Sequence, residues 1–106
     1  MSMPTETEAA DQFAQAVAAF RRVQELMLTA HRKLRSTSAK DRSRFWAGTG
    51  AKLEQHQRRC ATALMATYQE FARTGGVAGS GDRRLVNEAH QVIRGVSDQR
   101  EGLPRR

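Results

Sequence analysis

Apolar positions recur at helical spacing in the first third of the chain. They are separated by four, three, seven and seven residues, and polar residues occupy most of the positions between them. Such intervals place side chains on one face of an α-helix. The pattern therefore predicts one long amphipathic helix, whose apolar face consists of Phe13, Val17, Phe20, Met27 and Leu34.

The two ends of this helix carry local signals. Thr5 is followed three residues later by Glu8, which matches a capping box and predicts a helix start near residue 6. Ser36-Thr37-Ser38 supplies three hydroxyl groups that compete for backbone hydrogen bonds. We therefore expect the helix to fray or bend there, with a short helical extension to about Phe45.

The segment Trp46-Ala47-Gly48-Thr49-Gly50 interrupts the pattern near the middle of the chain. Its two glycines can adopt positive backbone φ angles at little steric cost, and Gly48 lacks a side chain that would crowd a reversal. We expect the chain to reverse within 46–50, with Thr49 capping a second helix that ends near Arg73. The apolar face of that helix consists of Leu53, Cys60, Ala61, Leu64, Tyr68 and Phe71.

The remainder of the chain changes character at its glycines. Residues 75–81 contain four glycines and predict a flexible linker. Ser80 or Asp82 can cap a short helix over 82–96, and residues 97–106 are polar and predict a disordered tail. This last helix can dock on the chain itself or on a partner. Its apolar positions are Leu85, Ala89, Val92, Ile93 and Val96.

The composition predicts an all-α fold. Aromatic residues make up 6% of the chain, which is little material for a sheet-based core, whereas Ala, Gln, Arg, Leu and Glu favour helices. We expect residues 1–74 to form an antiparallel helix-turn-helix hairpin that pairs with a second hairpin in a four-helix bundle, since both apolar faces are wider than a two-helix contact needs. The predicted partner interface consists of Phe13, Val17, Phe20, Met27, Leu34, Leu53, Leu64, Tyr68 and Phe71.

The net charge of +7 is concentrated in one segment. Residues 31–59 carry nine basic and two acidic side chains, so the bend is expected to form an electropositive end. Such an end serves as a solvated surface, attracts an acidic protein, or binds nucleic-acid phosphates weakly. The basic patch consists of Arg32, Lys33, Arg35, Lys40, Arg42, Arg44, Arg58 and Arg59.

Trp46-x-Gly48 at the bend of a hairpin of about this length resembles the WXG family, whose small proteins are exported by the type VII (ESX) secretion systems of Gram-positive bacteria and mycobacteria. Gly50 continues the pattern, and Gln69-Glu70-Phe71-Ala72-Arg73-Thr74 is similar to the corresponding family stretch. The resemblance implies a non-enzymatic protein that dimerises with another small helical protein and engages the secretion machinery. Alternatively, Trp46 is an ordinary core residue, which keeps the hairpin but removes the secretion inference.

The chain departs from the family at its export signal. The family places Asp or Glu four residues after a Tyr near the end of the second helix, but Tyr68 is followed at that spacing by Ala72. In the family one member of a heterodimer can carry the signal for both. We therefore expect an acidic heterodimer partner, with a homodimer as the alternative, and a protein that is cytoplasmic before export and secreted or at the cell surface afterwards.

Neither catalysis nor a cofactor is expected. His56 and Cys60 are four residues apart and can share a helix face, but no third activating group accompanies them. His31 and His90 are expected to be polar or boundary residues. No stretch approaches the roughly 20 apolar residues of a membrane span, and the acidic Met1 to Asp11 segment is unlike a cleavable signal. The competing functional class is a basic helical protein associated with nucleic acid.

Overall fold

The computed structural model describes the backbone of residues 5–100 and the side chains of residues 5–95. Four α-helices follow one another, and no strand occurs within the described backbone. None of the four is both long enough and apolar enough to cross a membrane. The helices are α1 (Glu6–Leu34), α2 (Ala39–Ala47), α3 (Thr49–Arg73) and α4 (Ser80–Arg100).

Side-chain caps open α1 and α2, and the sequence predicted the first of them. The Glu8 amide donates to Thr5 Oγ1 at 3.1 Å and the Thr5 amide donates to Glu8 Oε1 at 2.8 Å, which completes the capping box. After the break at 35–38, the Ser38 hydroxyl accepts from the Asp41 amide at 3.1 Å and opens α2. The predicted helical extension is therefore a separate helix, which ends at Ala47.

Helices α1 and α3 pack antiparallel, which confirms the hairpin. Phe13 near the start of α1 stacks on Phe71 near the end of α3, with ring centroids 4.9 Å apart and planes 14° apart. Midway along, Gln57 Nε2 of α3 donates to Gln24 Oε1 of α1 at 2.6 Å. Pairs whose numbers rise in one helix and fall in the other indicate opposite directions. The largest fully buried side chains are Phe20, Val23 and Leu64.

Helix α4 docks on this hairpin and extends past both predicted ends. It runs from Ser80 to Arg100 rather than over 82–96, so residues 97–100 of the predicted tail are helical, and residues 101–106 lie outside the described part. Gln24 of α1 bonds to Glu88 of α4, and Met27 of α1 lies beside Val92 of α4, so residue numbers rise together and α4 runs parallel to α1. Its apolar face fills the groove that we expected a partner to cover. The buried residues of α4 are Leu85, Val86 and Ala89.

The loop between α3 and α4, which the sequence predicted to be a flexible linker, makes specific contacts at two of its residues. A Cβ at Gly76 would overlap the ring of Phe71, and Ala78 is only 8% exposed. Gly75 has a φ of +96°, a left-handed conformation that favours glycine, and Val77 is 89% exposed. Gly76 therefore allows the backbone to approach an aromatic ring closely. Composition alone did not distinguish that use from flexibility.

Candidate functional site

The tip of the molecule, defined as residues 31–50, brings three aromatic side chains together. The ring of His31 in the last turn of α1 lies 4.9 Å from that of Trp46, with a 35° angle between their planes. Phe45 meets Trp46 edge-on at 5.0 Å. Phe45 and Trp46 are half-buried and His31 is exposed. The tip therefore presents a partly accessible aromatic cluster at the end of the hairpin.

Gly50 packs against the Phe45 and Trp46 rings of this cluster. It is buried in the first turn of α3, where an added Cβ would overlap the Trp46 ring and lie 2.9 Å from Phe45 Cε2. Aromatic side chains that lie this close to a helix backbone exclude any larger residue at the contact. Glycine at position 50 is therefore a packing requirement of the two preceding rings.

Gly48 has a different role from the one predicted. Its φ and ψ are -114° and -96°, and neither Gly48 nor Gly50 has a positive φ. A Cβ at Gly48 would meet only the Arg44 carbonyl oxygen, at 3.7 Å, so the expectation of crowding is wrong. Gly48 caps α2 by donating its amide to Arg44 and Phe45, and α3 begins at the next residue. The predicted Thr49 cap is also wrong, because Thr49 already lies within α3.

A pocket of about 520 Å³ opens beside the aromatic cluster. Arg42 fixes one side of it, since Nη1 donates to the carbonyl oxygen of Thr37 at 2.5 Å and to that of Leu34 at 3.5 Å. These bonds tie α2 to the loop that follows α1 and to the last residue of α1, whose carbonyl oxygen also accepts from the Thr37 amide and hydroxyl. The lining residues, none of them acidic, are His31, Leu34, Arg35, Arg42 and Trp46.

Two members of the predicted basic patch, Arg35 and Arg42, line this pocket, and two others, Arg58 and Arg59, lie on α3. Six of its eight members are exposed, while Arg42 and Arg58 are half-buried. The ion pair found among the described residues joins Arg73 to Glu70 at the opposite end, where the arginine lowers the pKa of that carboxyl. Glu54 lies beside His31 and Arg58 in an adjoining pocket of about 290 Å³. The charge of the tip thus remains largely uncompensated by ion pairs within the described part.

The predicted partner interface is mostly an internal core. Phe13, Val17, Phe20 and Leu64 are buried within the single chain, so their assignment to a partner surface is wrong. Leu53, Tyr68 and Phe71 are half-buried and pack against the same core, and Met27 and Leu34 are half-buried at pocket walls. The apolar positions on α4 were the sequence signal that could have identified this internal core, because a helix with an apolar face buries it against another surface.

The outer face of α3 carries a surface depression. A shallow groove of about 720 Å³ follows this single helix and is floored by small side chains that are exposed. Arg58 and Arg59 border it toward the tip. Leu26 and Leu28 are large apolar side chains exposed on α1. They do not form one apolar face, since they are two positions apart and point in different directions around the helix. The groove is lined by Gln55, Arg58, Arg59, Thr62, Ala63 and Ala66.

His56 and Cys60 lie together, as their spacing predicted. The Cys60 sulfur is 3.8 Å from His56 Nε2, and the cysteine is 8% exposed. Burial raises the pKa of the Cys60 thiol, while the nearby Arg59 lowers it by less. Within the described residues no three His, Cys, Asp or Glu side chains are grouped to hold a metal ion. Cys60 therefore favours the neutral thiol over the thiolate.

Two histidines take different places. His90 is exposed on α4, whereas His31 contacts Trp46 and belongs to the tip. The sequence carried no signal for the contact between His31 and Trp46, because the two residues are fifteen positions apart with a helix break between them.

No family model, curated protein or solved structure matches this chain.

Proposed function

We propose that the chain is a non-enzymatic helical hairpin of the WXG type that pairs with another small helical protein and is associated with type VII (ESX) secretion, as a substrate or as the partner of one. The observation that carries the proposal is the packing of Trp46 on Gly50 at the junction of α2 and α3. Those residues are two of the three on which the family resemblance depends. Their mutual fit supports a motif that maintains the bend.

The surface available for such a partner differs from the one expected at first. Since α4 fills the groove between α1 and α3, the proposed partner binds the outer face of α3. Thr62, Ala63 and Ala66 permit a second helix to approach closely, and Arg58 and Arg59 attract carboxylates on it. An acidic helical protein is therefore the proposed partner, and a second copy of this basic chain is the less favoured one.

The export signal is proposed to reside on the partner. Tyr68 packs on Phe13 at a centroid distance of 5.7 Å, and the position four residues later is the exposed Ala72. This arrangement leaves no carboxylate at that spacing for the secretion machinery to recognise. The proposed localisation is cytoplasmic before export and secreted or at the cell surface afterwards.

Co-purification tests the pairing. The tagged chain is co-expressed with the genes that neighbour it in the source genome, and the eluate is sized by light scattering. We expect a one-to-one complex with a small acidic helical protein, which Ala63→Glu disrupts because it places a carboxylate in the groove, whereas Ala14→Glu on the exposed part of α1 leaves it intact. A chain that elutes as a monomer contradicts the proposal.

A second candidate function is association with nucleic acid, which the tip favours. Arg35 lines the pocket beside Trp46, and Arg32 and Lys33 are exposed in the adjacent last turn of α1. Clustered cations of this kind bind phosphates without sequence preference. Retention on a DNA column tests it. Binding that weakens steeply with added salt is expected, and passage through the column at low salt contradicts this candidate.

A further inference from the structure

We infer that the tip pocket binds one unpaired nucleotide of a nucleic-acid single strand, with the base against Trp46 and the phosphate beside Arg35 and Arg42. The inference rests on the second candidate function and specifies its ligand. Pairing with a helical protein through α3 does not use this pocket. The two activities therefore occupy separate surfaces of the chain.

The aromatic cluster supplies a stacking surface. His31 and Trp46 already contact each other, so a base cannot insert between them and stacks instead on the ring surface that faces the pocket. Phe45 holds the indole edge-on, and Gly50 lets it rest on the α3 backbone. A ring held in this way is ordered before the ligand arrives, which lowers the entropic cost of stacking.

The pocket admits an unpaired base but not a base that is paired within a duplex. Its volume of about 520 Å³ lies within the range of small-ligand sites and accommodates one nucleotide. In a duplex, bases are paired and stacked and present only their edges, so none can reach the Trp46 ring without being unpaired. The pocket is therefore matched to a base that is already free.

The arginines supply the phosphate contacts. Arg42 is held by hydrogen bonds from Nη1 to the Leu34 and Thr37 carbonyl oxygens, which leave the other guanidinium donors for a ligand. Arg35 lines the same pocket and is exposed. Further exposed cations occur on the same two helices, and they give a strand more phosphate contacts than a free nucleotide can make. These cations are Arg32 and Lys33 of α1 and Lys40 and Arg44 of α2.

Trp46 reports on this binding directly, because it is the only tryptophan of the chain. The full chain is titrated at low salt with a thymidine oligonucleotide of about 12 nucleotides, with a duplex of equal length, and with thymidine monophosphate. We expect the single strand to quench Trp46 fluorescence and to bind about tenfold more tightly than the duplex. The monophosphate is expected to bind far more weakly than the strand.

Matched variants assign the effect to the pocket. Arg35→Ala removes an exposed cation and is expected to weaken the single strand about tenfold, whereas Arg84→Ala, an equal loss of charge near the opposite end of the bundle, weakens it about twofold or less. Trp46→Phe keeps a ring and is expected to retain binding above that of Trp46→Ala. Far-UV circular dichroism identifies any variant that is unfolded, and Arg35→Ala then remains the deciding one.

The titrations distinguish three outcomes that would contradict the inference. Equal binding of duplex and single strand with no quenching overturns the pocket and leaves a general nucleic-acid-binding surface. Equal binding of the monophosphate and the strand overturns the strand as the ligand. No binding of any probe overturns both the pocket and the second candidate function.

Discussion

The Trp46 ring occupies the space that a side chain at Gly50 would need, so the junction of α2 and α3 requires both a large side chain at position 46 and glycine at position 50. Neither residue adopts a positive φ. The contact links α2 to α3 across a single intervening cap residue, Gly48. The chain changes direction between α1 and α3 at two places, the break at 35–38 and Gly48, and the packing of Trp46 on Gly50 shapes the second of them.

Gly50→Ala is expected to destabilise the protein by about 1–3 kcal/mol, because the added methyl group forces Phe45 or Trp46 from its position. Urea denaturation followed by circular dichroism measures the change in free energy of unfolding. Gly95→Ala is the matched control. Its Cβ meets nothing within 4 Å inside α4, and we expect a gain of about 0.5–1 kcal/mol from helix propensity. Equal stability of the two variants would show that the rings do not constrain Gly50.

Gln24 joins three helices through its side-chain amide. It accepts from Gln57 Nε2 of α3 at 2.6 Å and donates to Glu88 Oε1 of α4 at 3.2 Å. Gln24→Ala is expected to cost about 1–2 kcal/mol, since both partners are partly buried and lose a bond. Gln15→Ala on the exposed side of α1 is the control, with a change within about 0.5 kcal/mol. Chemical denaturation of both variants checks this, and a neutral Gln24→Ala argues against the network.

Arg42→Ala is expected to loosen the tip. The substitution removes the donors to the Leu34 and Thr37 carbonyl oxygens, which we expect to cost about 1–2 kcal/mol. Because Arg42 and Trp46 line one pocket, the Trp46 emission spectrum should also shift. Arg44→Ala removes an equal charge from an exposed position of α2 and should leave both the stability and the spectrum unchanged.

Cys60 is expected to react slowly with iodoacetamide in the folded protein. Burial raises the pKa of its thiol and therefore lowers the fraction of reactive thiolate at neutral pH, in addition to blocking access. Raising the pH should accelerate the reaction only above the usual thiol range, and urea should remove the protection. Mass spectrometry of the alkylated protein gives the rates. A folded protein that reacts as fast as the unfolded chain contradicts the buried placement.

Short-range signals in the sequence predicted much of the fold. The Thr5 and Glu8 capping box, the break at Ser36-Thr37-Ser38 and the end of α3 at Arg73 each depend on residues within a few positions of one another. Helical spacing likewise identified the buried face of α1. Such features form wherever the local sequence permits them, so they can be derived without knowledge of the rest of the molecule.

Contacts distant in the chain account for what sequence reasoning missed. The glycines after α3 indicated a flexible linker, yet Gly76 packs under Phe71 and Ala78 is buried. The docking of α4 decided whether the apolar face of the hairpin was a core or an interface. At the candidate site, the basic residues were identified from composition, but the contact of His31 with Trp46 depends on how α2 folds back on α1.

The direction of α4 determines how the protein should be tethered for measurement. Helix α4 runs back toward the tip, so that Val92 and Gly95 lie beside His31. The described part extends 51 Å along its longest axis, and α1 begins at the far end. A bulky fusion attached after α4 would therefore crowd the cationic end. A surface-immobilised or fluorescently fused protein should be anchored through its N-terminal side, which orients the tip toward the solution.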